Sequence, residues 1–120
     1  MEKIQRFEQL IAWQKAHAFV LEIYRITRDF PREEMYGMTN QLRRAAVSAP
    51  ANIAEGFKRR SPQEKARFYN IAQASLEEAR YYLILAGDLE FVVVPQALTN
   101  LADEVARLLS GLVTSVNDSQ

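Results

Sequence analysis

Apolar residues recur at intervals of three and four along almost the whole chain, and this period constrains the fold more than any other feature. The pattern predicts four helices, over residues 7–29, from about residue 32 or 33 to Gly56, from Pro62 to residues 87–90, and from about Pro95 onward. Four helices of about 20 residues, each about 30 Å long and joined by short connections, predict an all-α, up-down-up-down four-helix bundle. We expect residues 1–120 to form one such domain.

Each predicted helix has one apolar stripe, which we expect to face the bundle interior. The inward residues are Trp13, Ala16, Val20, Ile23, Tyr24 and Thr27 on the first helix; Met35, Met38, Leu42, Ala45, Ala46, Ala49 and Ile53 on the second; Phe68, Ile71, Ala72, Ser75, Ala79, Tyr82, Leu83 and Ala86 on the third; and Leu98, Leu101, Val105, Leu108, Leu109, Leu112 and Val116 on the fourth. The β-like run FVVVP, residues 91–95, is too isolated to build a sheet. We expect it to form the third connection.

Prolines, a glycine and a capping motif mark the predicted helix ends. The first helix ends before Pro31, because the residue preceding a proline avoids the α conformation. Gly56 is placed where a C-terminal glycine closes a helix. Ser61 is suited to cap the third helix, with Pro62 at its first position and Glu64 completing a capping box.

The second helix has no charged residue between Ala45 and Ala54, and it carries Pro50 near the middle of that run. A proline inside a helix removes one hydrogen bond and crowds the preceding turn, at a cost of about 3 kcal/mol. We therefore predict that this helix is kinked or briefly broken at Pro50. Ser48 is placed to compensate partly through local hydrogen bonds.

The outward side of the second helix is mostly small and apolar, in contrast to the polar outward side of the fourth helix. A helix that is apolar on all sides is usually covered on all sides. We therefore expect another subunit to cover Val47, Ala51 and Ala54, with Tyr81 and Ile84 of the third helix as further interface residues. The alternative is a monomer that tolerates scattered surface alanines.

Composition excludes several kinds of chemistry. The chain has no cysteine, which excludes disulfides, thiolate zinc sites and cysteine nucleophiles and fits a reducing cytoplasm. It has no apolar stretch long enough to span a membrane and no signal-peptide core, so we expect a cytoplasmic protein. The single histidine, His17, cannot supply the paired Glu-x-x-His motifs of a carboxylate-bridged di-iron bundle. We expect no metal, no cofactor and no enzymatic activity.

Charge is balanced overall, with 15 basic and 15 acidic residues, but it is unevenly distributed. Residues 1–60 have 11 basic and 7 acidic side chains, a net charge of +4, whereas residues 61–120 have 4 and 8, a net charge of −4. Such asymmetry favours binding of a polyanion, or association between oppositely charged faces. The alternative is chance variation in solvated charge.

Seven of the basic residues lie within a span of 25 residues. They are Arg43, Arg44, Lys58, Arg59, Arg60, Lys65 and Arg67. Convergent cations of this kind bind phosphates, and the nearby Tyr69 is a candidate for stacking on an unpaired base. The alternative is a solvated loop with structural arginines, in which Arg44 pairs with Glu55, Glu77 or Glu78 across a subunit boundary.

The sequence resembles the four-helix-bundle family of ribosomal-RNA intervening-sequence proteins, whose fold group includes the accessory variability protein of diversity-generating retroelements. The resemblance rests on FEQLIAWQKA (residues 7–16), FPREEMYGM (30–38), QLRRAAVSAPANIAEGFKRRS (41–61) and RFYNIAQASLEEA (67–79). It implies a non-enzymatic homo-oligomer, a ring of five bundles. By analogy with the retroelement relatives, it also implies a role near nucleic acid or a nucleic-acid enzyme.

Two functional hypotheses follow. The first is a ring-forming scaffold that binds RNA or DNA, or a nucleic-acid enzyme, through basic groups on one exposed face, with salt-sensitive affinity. The second is an oligomeric module for a protein or small ligand, in which the arginines form salt bridges and an apolar groove or pore is exposed.

Overall fold

A computed structural model describes residues 3–118 as four α-helices with two short 3-10 turns. The helices are α1 (Ile11–Thr27), α2 (Met38–Lys58), α3 (Pro62–Asp88) and α4 (Gln96–Asp118), and the turns are Phe7–Gln9 and Arg32–Glu34. This architecture confirms the predicted all-α four-helix bundle. Residues 91–95 lie in the connection between α3 and α4, as expected, and this connection spans residues 89–95.

The helices pack in sequential order, and α4 also packs against α1, so each helix has two neighbours. Short connections make consecutive helices antiparallel. As a result, α1 and α2 form one side of the bundle, and α3 and α4 form the opposite side. The molecule measures 46 × 25 × 20 Å. None of the helices within residues 3–118 is both long enough and apolar enough to cross a membrane.

The first two helices start later than the sequence predicts, because a separate local turn precedes each one. Leu10 is extended (φ −72°, ψ 126°) and separates the Phe7–Gln9 turn from α1. The Arg32–Glu34 turn likewise ends before α2, and the Glu34 carboxylate then accepts a hydrogen bond from the Met38 N–H at 3.1 Å. That bond satisfies one of the unpaired donors in the first turn of α2. The predicted starts of both helices are therefore wrong.

The predicted start of α3 is confirmed. Ser61 Oγ accepts a hydrogen bond from the Glu64 N–H at 3.1 Å, and Pro62 is the first helical residue. At its other end α3 stops at Asp88, and Glu90 adopts a left-handed conformation (φ 64°) that turns the chain. Phe91 then packs against Phe30, with ring centroids 5.8 Å apart, and so joins the two connections at this end of the bundle.

Most of the predicted inward residues are buried, but Tyr24, Met35 and Ile71 are exposed. Met35 lies in the connection before α2 rather than on the helix. Tyr24 and Ile71 lie at the edges of their helix stripes, whereas Phe19 and Leu76 occupy the interior positions. The buried large side chains with almost no exposed surface are Phe19, Ile23, Leu42, Ile53, Leu76, Val105 and Leu109.

Helix α2 runs unbroken through Pro50, which is buried. A break at this proline is therefore excluded, and a bend stays a prediction. Ser48 forms local hydrogen bonds, in which its carbonyl and its hydroxyl both accept from the Asn52 side-chain amide, at 2.8 and 3.0 Å. Ser75 of α3 also donates to the Ser48 hydroxyl at 2.7 Å. These bonds tie α2 to α3 beside the proline.

Candidate nucleic-acid interface

The connection between α2 and α3 is only three residues long, Arg59 to Ser61, and it gathers basic side chains at one end of the bundle. Because the turn is short, cations from the end of α2 and from the start of α3 share this tip. We name this cluster the basic end, and its members are Lys58, Arg59, Arg60, Lys65 and Arg67.

Two arginines of the basic end cover the half-buried ring of Phe68. The guanidinium carbons of Arg59 and Arg67 lie 4.7 and 5.2 Å from the ring centroid. Arg59 also pairs with Glu55 at 2.8 Å, and Arg67 pairs with Glu64 at 3.8 Å. Exposed pairs of this kind contribute about 0–1 kcal/mol. A phosphate can therefore replace either carboxylate at little cost, while the aromatic ring keeps both guanidinium groups in position.

Lys65 is bound to the end of α2. Its ammonium group donates hydrogen bonds to the Phe57 carbonyl at 2.7 Å and to the Gly56 carbonyl at 3.3 Å. These carbonyls lie at the negative end of the helix dipole, where a cation is stabilising. Burial lowers the pKa of Lys65. This side chain therefore stabilises the turn and is less available to a phosphate than its neighbours.

Lys58 and Arg60 are exposed, and neither forms a salt bridge with any residue in the described part of the chain. Lys58 lines a shallow hollow together with Arg6 and Phe57. Arg6 is not predictable from the sequence as a neighbour of Lys58, because only the fold brings the N-terminal segment next to the α2–α3 turn. The two unpaired cations of the turn are therefore the groups freest to contact phosphate.

Arg43 and Arg44 lie apart from the basic end. They precede Lys58 by about four helical turns, or about 21 Å at 1.5 Å per residue. The Arg43 side chain donates through Nε to Thr27 Oγ1 at 2.8 Å, and its guanidinium lies 4.6 Å from the Tyr24 ring centroid. Arg43 therefore joins α2 to α1. Arg44 is exposed, with no salt-bridge partner within residues 3–118.

Tyr69 is buried, so the expectation that it stacks on an unpaired base is wrong. Its ring packs on Gly56, where a Cβ would lie only 2.6 Å from a ring carbon. Gly56 is therefore an interior residue of α2 that permits close helix packing, and not the C-terminal glycine predicted from the sequence. Burial also raises the pKa of the Tyr69 hydroxyl.

A sequence model of the 23S rRNA-intervening sequence protein family matches residues 8–111, which include all of α1, α2 and α3 and most of α4. The chain belongs to this family. A crystal structure of a protein of unknown function from the S23 ribosomal protein family of Bacteroides thetaiotaomicron has the same fold, with a TM-score of 0.78. The two chains are 24% identical, and the similarity covers 87% of this chain and 96% of that one. No curated protein matches significantly.

In this family member the outward side of α2 is only partly covered by its own chain. Val47 is 40% exposed, and Ala51 is also exposed. Ala54 is half-buried because it lines the same hollow as the N-terminal residues Arg6 and Phe7. Two of the three predicted α2 interface residues therefore face solvent in a single subunit.

The two predicted interface residues of α3 are also exposed, Tyr81 at 57% and Ile84 at 63%. Ile84 lines a groove between α3 and α4, whereas Val47 lines a hollow with Tyr24 of α1. The predicted interface residues of α2 and of α3 thus lie on opposite sides of the bundle rather than on one face.

The carboxylates suggested as partners of Arg44 have partners three or four residues away in their own subunit. Glu55 pairs with Arg59, and Glu77 lies 3.4 Å from Arg80. Glu78 accepts a hydrogen bond from the Tyr82 hydroxyl at 3.0 Å, which raises the pKa of that tyrosine. A contact of these groups with Arg44 of another subunit stays a prediction.

His17 stacks on Trp13, with ring centroids 4.9 Å apart and the rings nearly parallel. Its side chain is exposed. Among the described residues, histidine, aspartate and glutamate side chains do not form a group of three that could hold a metal ion. The basic end, where exposed cations converge, is the candidate functional site.

Proposed function

We propose that this member of the 23S rRNA-intervening sequence protein family is a homo-oligomeric scaffold that binds nucleic acid through its basic end. The observation that carries the proposal is the cluster at the α2–α3 turn, where Lys58 and Arg60 are exposed and unpaired beside two arginines ordered on Phe68. Cations spaced along a tip contact successive phosphates without reading bases. We therefore expect non-specific, salt-sensitive binding of RNA or DNA.

The proposal assigns a binding role and no chemical reaction. The five side chains of the basic end are cations, and three of them lie over the Phe57 or Phe68 ring. The cysteine-free composition fits action in the cytoplasm. Because the family is named for an insertion in 23S ribosomal RNA, structured RNA is the first ligand to test, and a nucleic-acid enzyme is a further candidate partner.

The proposal includes a ring of subunits, and the resemblance described above implies five. Support comes from the two exposed apolar regions on opposite sides of the bundle. A head-to-tail contact uses two different surfaces of each subunit and closes into a ring when the rotation between subunits permits. A self-complementary dimer would instead use a single surface. Multi-angle light scattering measures the subunit number directly.

Filter binding to structured RNA and to single-stranded DNA, at 50 and 200 mM salt, tests the nucleic-acid role. We expect binding at the lower salt that weakens at least about tenfold at the higher salt. Lys58→Glu together with Arg60→Glu is expected to weaken binding by about tenfold or more at low salt. Arg107→Glu is the matched control, because it is an exposed arginine on α4 with no salt bridge among the described residues. The absence of binding at 50 mM salt contradicts the proposal.

A further inference from the structure

Where α3 borders α4, it has an exposed stripe in which two apolar residues lie between two acidic ones. Glu77, Tyr81, Ile84 and Asp88 follow one another at helical spacing on the same face. Ile84 and Asp88 line a groove of about 320 Å³ between the two helices, with buried core side chains as its floor. Large exposed apolar residues thus stand between two carboxylates. We name this region the α3–α4 groove.

The α3–α4 groove has a net negative charge when the ion-pair partners of its lining arginine are counted. Among the described residues that line it, Arg80 is the single cation, and two carboxylates neutralise it: Asp103 at 2.8 Å and Glu77 at 3.4 Å. Asp88 has no salt-bridge partner in the described part of the chain. It also lies in the last turn of α3, which contains no basic residue to offset the negative end of the helix. A cation on an occupant of this groove would be stabilised by the unpaired Asp88 carboxylate and by the negative end of α3.

The opposite side of the bundle has the complementary character. Arg44 is exposed and unpaired, and one turn further along α2 the exposed Val47 lines the same hollow as Arg44 and Tyr24. Arg43 also lines this hollow and adds a second positive charge. Its side chain bonds Thr27 and is not paired with a carboxylate in the described part of the chain. We name this region the α2 face. It is a cationic surface with an exposed apolar centre.

The long sides of the molecule measure 46 Å by 20–25 Å, and each exceeds the ~800 Å² per partner that a standard interface buries. The ends, at 25 by 20 Å, do not reach that area. The available interface area and the charges therefore both favour contact between the long sides of two subunits. We propose that the α2 face of one subunit docks in the α3–α4 groove of a second copy, with Arg44 opposite Asp88 and Val47 against Ile84.

This inference rests on the proposed homo-oligomer and specifies which surfaces meet. Because the α2 face and the α3–α4 groove are different surfaces, every subunit uses both of them. The contact leaves the basic end outside the interface, since that end lies at the α2–α3 turn. Loss of the contact is therefore expected to change assembly without removing the phosphate-binding side chains.

A charge exchange between the two surfaces tests the pairing. Arg44→Asp and Asp88→Arg are each expected to weaken assembly at least about tenfold at 100 mM salt, because like charges then face each other. The double variant Arg44→Asp/Asp88→Arg restores opposite charges and is expected to restore assembly. The readout is sedimentation equilibrium at several protein concentrations, with circular dichroism to verify the helical fold. The exposed Arg107→Asp and Glu33→Arg are matched controls that leave both surfaces intact.

The outcomes separate this inference from the proposed function. Dissociation of each single variant and reassembly of the double variant support the pairing, since a purely structural role of Arg44 is not rescued by a change at Asp88. An assembled wild type whose single variants assemble equally well overturns the pairing alone. Single variants that dissociate without rescue in the double variant overturn it too. A wild type that is monomeric at 100 mM salt overturns both the pairing and the proposed oligomer, while RNA binding remains a separate test of the basic end.

Discussion

The two sides of α2 have similar composition and opposite environments. Toward the bundle, Ala49, Ile53 and Gly56 are buried against neighbouring helices, whereas Val47 and Ala51 on the outward side are exposed. On the inner side, small residues let the helices approach closely, which directly stabilises the fold. On the outer side, apolar residues gain stability only if another molecule covers them. Substitutions on the two sides therefore separate folding from assembly.

The largest contrast is expected between Ile53→Ala and Val47→Ala. Ile53 is fully buried, so its truncation leaves a cavity and lowers the free energy of unfolding by about 2–5 kcal/mol. Val47 is exposed, so the same truncation is expected to change that free energy by less than about 0.5 kcal/mol. Urea unfolding of dilute protein measures both values. Equal destabilisation by the two variants contradicts the distinction between the sides.

A smaller effect is expected at the glycine beneath Tyr69. In Gly56→Ala the new methyl group would lie 2.6 Å from a carbon of the Tyr69 ring and 3.2 Å from the Phe68 Cβ. The Tyr69 ring or the helix backbones must shift, at a cost of about 1–3 kcal/mol. Gly111→Ala is the control, since nothing lies within 4 Å of its added carbon, and it is expected to stabilise α4 by about 0.5–1 kcal/mol. A neutral Gly56→Ala would show that the α2–α3 contact is looser than the structure describes.

The sequence predicts the bundle well because the helical period is a local signal that each helix repeats several times. It fails where the outcome depends on a contact between helices. Gly56 has the sequence context of a helix-ending glycine, and only its contact with Tyr69 reveals its role inside α2. The start of α2 is wrong for a related reason, since the Arg32–Glu34 turn competes with the helix and the period alone does not detect it.

The candidate site is predicted less completely than the fold. The run from Lys58 to Arg60 is visible in the sequence as a basic loop after α2. Its partners are not, because Arg6 and Phe68 come from other parts of the chain and meet the loop only in the folded bundle. Conversely, Arg43 lies close to this run in sequence but helical rise carries it to another region. Closeness of charged residues in the sequence therefore predicts a shared site less well than their positions along the helix do.

Two adjacent arginines of α2 differ in the same way, one bound to α1 and the other exposed. Arg43 bonds Thr27 and covers Tyr24, so Arg43→Met is expected to lower the free energy of unfolding by about 1 kcal/mol. Arg44 makes no such contact, and Arg44→Met is expected to leave the stability of dilute protein unchanged within about 0.5 kcal/mol. Thermal unfolding at low protein concentration measures the difference. A larger loss of unfolding free energy for the Arg44 variant would contradict the assignment of Arg43 as the residue that joins α2 to α1.

The smallest expected effect is a pH dependence at the α2–α3 turn. Burial lowers the pKa of Lys65 in the folded protein, so the folded state releases this proton at a lower pH than the unfolded state does. Stability then rises with pH through the interval between the two values, which ends at the ordinary lysine pKa of about 10.4. Tyr69 acts in the opposite direction: its raised pKa makes the unfolded state ionise first, and stability falls as pH rises. In the wild type the two contributions partly cancel.

Lys65→Met removes one of these opposing contributions and leaves the other. We expect the free energy of unfolding of this variant to fall relative to the wild type as pH rises from 8 to 11, by less than about 0.5 kcal/mol because solvent screens the half-exposed ammonium group. Urea unfolding at pH 8, 9, 10 and 11 measures the difference, in which titrations common to both proteins cancel. Lys58→Met is the control, since Lys58 is exposed and unpaired among the described residues. A difference that is constant across this pH range would mean that Lys65 is as well solvated in the folded turn as in the unfolded chain.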